Sequence, residues 1–159
     1  MNYVEQVIYE AKLKIAVSGD EFSMAVDFAN RRNSEDQANG CVHRFEGYPG
    51  NPFLQNLIGV LGEISFSKFR RVPFRWTRMR ETDVDGFEVR TSSKRWGDLS
   101  ILPSDRNESR FALVVCVVWP RIFEIAGWIT AREGRRVGHS KFYLGGPGVF
   151  VPQYELKRF

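Results

Sequence analysis

From Val7 to Val17 apolar side chains fall on alternate positions, Tyr9, Ala11, Leu13, Ile15 and Val17, with Glu10, Lys12 and Lys14 between them. That is the period of a half-buried strand. Ser18 and Glu21 then stand at capping-box spacing, and Phe22, Ala25, Val26 and Ala29 recur at helical intervals up to the polar Arg31-Arg32-Asn33, which predicts an amphipathic helix over residues 20–32. Asn33 to Pro52 mixes Asn, Asp, Gly, Pro and Ser with Phe45 and Tyr48 and reads as a long irregular connection. Phe53, Leu54, Leu57, Ile58, Leu61 and Ile64 restore the helical stripe in a central helix that ends near Phe69. Gly59 and Gly62 lie inside it beside Glu63. A glycine within a helix costs about 1 kcal/mol relative to alanine, so these two point to a close neighbouring backbone or to substrate access.

Beyond the helix the periodicity shortens. Val72 to Trp76, Phe87 to Thr91, Leu99 to Leu102, Phe111 to Val118 and Ile122 to Thr130 are rich in Val, Ile, Phe and Trp and are divided by turn residues, as strands are. The unbroken apolar run Phe111–Val118 predicts a central strand covered on both faces. Trp119-Pro120-Arg121 joins it to the next strand as a hairpin, with Trp119 and Trp128 expected in the core. Gly134 to Gly148 reads as a loop and Val149 to Gln153 as a short edge strand. The predicted class is α+β, a mixed and largely antiparallel sheet flanked by few helices. One domain is expected, residues 1–52 forming an N-terminal strand, helix and long loop and residues 53–159 the core.

Composition adds a bias toward polyanions. The 159 residues are 43% hydrophobic and 14% aromatic, which suits a globular core rather than a disordered chain. The net charge of +4 comes from an excess of arginine, whose planar fork matches phosphate. Lys68, Arg70, Arg71, Arg75, Arg78 and Arg80 follow one another with no acid between them, Phe74 and Trp76 interleave with them, and Lys94-Arg95-Trp96 comes later. Arg70, Arg71, Arg75, Arg78, Lys94 and Arg95 are therefore candidate nucleic-acid contacts. Cys41 and Cys116 lack zinc or disulfide spacing, and His43 and His139 read as surface residues. The N-terminal residues lack the apolar core of a signal peptide, and Phe111–Trp119 is far shorter than the roughly 20 residues that span a bilayer. A cytoplasmic protein with no membrane partner is expected. Nucleophile-elbow, Walker and dinucleotide fingerprints are missing.

Against the basic run stand acids: Glu63 after Gly62, then Asp83 and Asp85 in Thr82-Asp83-Val84-Asp85-Gly86, then the triplet Glu88-Val89-Arg90. Such carboxylates can hold Mg²⁺ or Mn²⁺ against a scissile phosphate, and a cation beside them can stabilise the charge that develops. Side chains alternate along a strand, so Glu88 and Arg90 share one face while Val89 takes the other. A salt bridge on that face is the plainer alternative.

Gly59-Val60-Leu61-Gly62-Glu63-Ile64, Thr82 to Thr91, Ala126-Gly127-Trp128-Ile129 and Phe150-Val151-Pro152-Gln153 together resemble a family of small phage-encoded proteins, itself similar to PD-(D/E)xK, or restriction-endonuclease-like, nucleases. The resemblance runs from about Pro52 to the C-terminus. It implies a restriction-endonuclease-like core and a metal-dependent nuclease acting on DNA more readily than RNA, possible as a homodimer. Glu63 takes the helix-glutamate role, Asp83 the aspartate role, Glu88 that of the second strand carboxylate, and Arg90 stands where lysine is usual. Arginine keeps a cation for phosphate but does not serve as a base. The interval from Asp83 to Glu88 is short for the pattern, which leaves Asp85 open as the ligand, and Pro103 to Arg110 is too short and polar for the expected crossover helix. A catalytically silent nucleic-acid-binding module on the same scaffold is the competing expectation.

Overall fold

The computed structural model describes residues 12–39, 51–75, 82–143 and 146–159. Val7 to Ala11, Cys41, His43, Phe45, Tyr48, Trp76, Arg78 and Arg80 lie outside those residues. The first strand described, β1, is Lys14–Ala16, with Ile15 buried between two exposed neighbours. Ser18 and Glu21 do form a capping box: the Glu21 amide donates to Ser18 Oγ at 3.1 Å and the Ser18 amide to Glu21 Oε2 at 2.8 Å. The helix they open, α1, is Gly19–Ala38 and runs past the expected stop at Arg32. Its last turns are tied to the next helix, where Arg32 meets Glu63 and Asn56 Nδ2 donates to Asp36 at 3.2 Å. Those contacts outweigh the weak helical preference of Asn33, Ser34 and Asp36.

Helix α2, Pro52–Arg70, matches the periodicity. Asn51 caps it by accepting from the Phe53 amide at 3.0 Å, proline occupies the first turn where its missing N–H is harmless, and Arg71 closes it in the left-handed conformation. Residues 72–75 form no strand, contrary to expectation. Asp85 and Gly86, both at positive φ, form a two-residue turn that brings Val84 and Phe87 into mutual hydrogen bonding. Strands β2 (Glu88–Ser92), β3 (Leu99–Ile101), β4 (Arg110–Val118) and β5 (Ile122–Thr130) follow. Helix α3, Ala131–Val137, begins on a Thr130/Glu133 capping box, and β6 (His139–Tyr143) and β7 (Gly146–Val151) form a further hairpin. The expected loop over Gly134–Gly148 is thus a helix end and two strands. The expected edge strand β7 is central in its sheet.

Two sheets result. The larger has the order β1-β5-β4-β2, antiparallel except for the parallel pair β2 and β4; the smaller, β3-β7-β6, is antiparallel. The connection from β2 to β4 carries β3 and a loop, with no helix. The fold is α+β. Strand β4 is buried on both faces, as its apolar run requires. Ala112, Val114 and Cys116 pack with Phe123, Ile125, Val89 and the helices α1 and α2. Phe111, Leu113 and Val115 pack with Leu99, Ile101, Val151 and Ala131 on the opposite side. Trp128 is packed against the helix-side core, whereas Trp119, at the β4–β5 turn, is 47% exposed and lies outside it.

Gly62 sets how closely α2 meets β2. A Cβ there would sit 1.8 Å from Thr91 Oγ1 and 2.8 Å from Thr91 Cβ. Gly62→Ala is therefore expected to lower the unfolding free energy by about 1–3 kcal/mol through overpacking, read from urea denaturation. Adding Thr91→Ala should restore part of the loss. An unchanged denaturation midpoint for Gly62→Ala would mean that helix and strand do not meet at this residue.

Candidate functional site

The functional side chains divide between the two faces of the edge strand β2. Thr91 faces Gly62 and Val89 lies in the helix-side core, so Glu88 and Arg90 point to the opposite side of the sheet. The strand geometry read from the triplet is correct. The structure sets its two charges on the side of the sheet away from α2.

On the helix side, Glu63 is 3% exposed and receives both ends of the Arg32 guanidinium at 2.8 Å. Gly59, one turn earlier, is not required for that contact, since a Cβ there would lie 3.8 Å from Arg32 Nη1, an ordinary van der Waals distance. Asp83 sits just before the turn, and its Oδ2 accepts from the Val89 amide at 2.8 Å. Burial, then the negative charge of Glu63, push Asp83 up to about 7; the Val89 bond and the charges of Arg32 and Arg90 only partly oppose this. Burial works against the charge on Arg32, but its bonds to Glu63 and the charges of Glu63, Asp83 and Asp36 outweigh that effect and hold the guanidinium above its ordinary range. One buried cation thus serves several carboxylates. Asp85 is separate: it occupies the left-handed turn and pairs outward with Arg70 at 2.7 Å.

On the other side, Arg90 lies 2.9 Å from Asp105, 3.7 Å from Glu88 and over the Phe111 ring at 5.0 Å. Asp105 also accepts from the Leu102 amide at 2.7 Å, so it braces the loop after β3 while it holds Arg90. Of the candidate nucleic-acid contacts, Arg70, Arg71, Arg75 and Lys94 are exposed, Arg70 being paired with Asp85. Arg95 turns inward to Glu124 at 3.3 Å, a carboxylate wholly buried in β5, and Gln153 grips the carbonyls of Arg95 and Gly97 at 2.9 Å.

Comparison with protein-family models, with curated proteins and with solved structures finds no match.

Among the described residues no three His, Cys, Asp or Glu side chains assemble into a group that could hold a metal ion. Glu63 and Asp83 are carboxylates of the kind Mg²⁺ or Mn²⁺ takes, with both Glu63 oxygens bonded to Arg32 and Asp83 Oδ2 to the Val89 amide. They are hard oxygen donors whose mutual repulsion a cation would relieve, and Mg²⁺ commonly takes one or two carboxylates and completes its shell with water and phosphate oxygens. Sequence reasoning missed Arg32, Asp105 and Glu124. Arg32 was legible in part, because it continues the stripe Ala25, Ala29 at the next helical interval and so falls on the buried face. Glu124 was legible as an acid inside an apolar strand. Asp105 had no local signal.

Proposed function

We propose that the chain is a metal-dependent nuclease that hydrolyses DNA phosphodiester bonds, with Glu63 and Asp83 as the carboxylates that would hold Mg²⁺ or Mn²⁺. The half-buried Asp83, pushed up by its burial and by the charge of the buried Glu63, carries this reading. When bound there, a divalent cation neutralises phosphate charge and supplies an acidified water. Arg32 holds Glu63 in place and limits the repulsion between the two carboxylates. Glu88 and Arg90 lie on the other face of the strand and have no part in this site, whereas Arg71 and Arg75 offer exposed cations for neighbouring phosphates.

Purified protein incubated with single-stranded, duplex and branched DNA is expected to cleave in Mg²⁺ or Mn²⁺ and not in EDTA. Glu63→Gln and Asp83→Asn should each reduce the rate by at least about a hundredfold, an effect of the size seen when one electrostatic group at a reacting centre is lost. No metal-dependent cleavage of any of these substrates would overturn the enzymatic reading. Two observations favour a second reading, a silent nucleic-acid-binding module: Arg32 occupies both oxygens of Glu63, and Asp105 holds Arg90. That module would bind DNA equally with and without Mg²⁺, and calorimetry would show no Mg²⁺ uptake sensitive to Asp83→Asn.

A further inference from the structure

Several separate segments meet at the end of the larger sheet where β2 and β4 begin. Phe87 sits at their centre, packed against Phe66, Trp128 and Phe159 with ring centroids 5.4 to 5.7 Å apart. Cations cover this aromatic cluster. Arg70, at the end of α2, lies 5.7 Å from the Phe87 ring and 5.6 Å from that of Phe159. Arg110, the first residue of β4, lies 4.6 Å from Phe87, and Lys157 lies 4.8 Å from Trp128. Arg158, next to Lys157 in the chain, lines with Lys12, Phe69 and Phe159 a pocket of about 160 Å³ that adjoins the cluster through Phe159.

The neutralising acids are Asp85, on Arg70, and Glu133, on Lys157. Arg110 and Arg158 have no carboxylate within ion-pair distance among the described residues. A guanidinium stacked on a ring is fixed in orientation while its in-plane N–H donors stay uncommitted, which prepares it for a phosphate without a further ordering cost. The patch also borders the acidic pair, since Asp85 of the patch is two residues from Asp83.

We propose that this surface is a phosphate-binding track for a nucleic-acid strand, carried by Arg70, Arg110, Lys157 and Arg158 and leading toward the Glu63–Asp83 edge. It rests on the nucleic-acid reading given above and adds Arg110, Lys157 and Arg158 to the contacts expected from the sequence. The track takes the sugar–phosphate backbone and reads no base, so it should bind DNA of differing sequence alike.

The test is binding of fluorescently labelled oligonucleotides by anisotropy, in EDTA so that cleavage plays no part, over a series of salt concentrations. Arg110→Ala with Arg158→Ala is expected to reduce the magnitude of the log–log salt slope by about 1.4 to 1.8, two phosphate contacts at 0.7 to 0.9 each. Arg121→Ala, an exposed cation at the opposite, β4–β5 turn end of the sheet, should leave it unchanged. Arg110→Lys should keep the wild-type slope, which separates loss of charge from loss of packing on Phe87. Equal slopes for the wild type and the double variant, or no binding by the wild type, would overturn the track. Cleavage with an unaffected double variant would remove the track and leave the nuclease reading standing; a weakened double variant without any cleavage would do the reverse.

Discussion

Arg32→Ala is expected to lower the unfolding free energy by about 3–5 kcal/mol, the usual cost of stripping one partner from a buried ion pair. The Glu63 side chain is 4% exposed and the Arg32 side chain 20%. Without Arg32 the Glu63 carboxyl group would lose both N–H donors bonded to its oxygens, beside Asp83, in a site nearly closed to water. Glu63→Ala should be milder, because the guanidinium left behind retains access to water and the charge of Asp36. Replacing both residues, Arg32→Met with Glu63→Leu, should recover much of the loss, since an apolar pair of similar volume avoids the desolvation of both charges. Urea denaturation of the wild type, Arg32→Ala, Glu63→Ala and the Arg32→Ala/Glu63→Ala double variant closes the cycle that gives the coupling energy. A loss below about 1 kcal/mol for Arg32→Ala, the value of a solvated surface pair, would show that water screens the site.

The second large effect is on pH dependence. In the unfolded chain Asp83 titrates near its ordinary 3.8, whereas in the folded protein it is pushed up to about 7. Between those values the folded state holds a proton that the unfolded state has released. Stability is therefore fully present below about pH 4 and declines as pH rises toward 7, by up to about 4 kcal/mol in total at 1.36 kcal/mol per pKa unit. Above that both states are ionised and the loss is constant. Asp83→Asn keeps an oxygen for the Val89 amide and removes the titration, so its stability should stay nearly level across the window. Glu63→Gln should narrow the window, because the Glu63 charge is the second cause of the shift. If wild type and Asp83→Asn show parallel stability curves from pH 4 to 7, Asp83 is not held in its neutral form.

Local chemistry explains which parts of the structure were legible. The Ser18–Glu21 cap, the Phe53–Ile64 stripe of α2 and the β4–β5 hairpin each depend on residues close in sequence, whereas the Asn51 cap of α2 went unread. Glycine beside Glu63 announced a close approach, and Thr91 is the neighbour that requires it. Helix α3 carries a capping box in Thr130 and Glu133, but it is seven residues long with a glycine inside, and Gly134 is there because a Cβ would meet Ile101 Cδ1 at 2.2 Å. That reason lies in another strand.

The sequence by itself determined that Glu88 and Arg90 share a face, that Glu63 rides on the central helix near small residues, and that cations crowd the end of that helix. Period and spacing fix which side chains of one element lie together. Only the tertiary structure decided that α2 docks on the Val89–Thr91 face and so lies across the strand from Glu88, that Arg32 of α1 closes on Glu63, and that Arg110 and Phe159 join Arg70 at Phe87. The choice of which face meets which element is made by burial summed over two cores, and no local pattern encodes that sum.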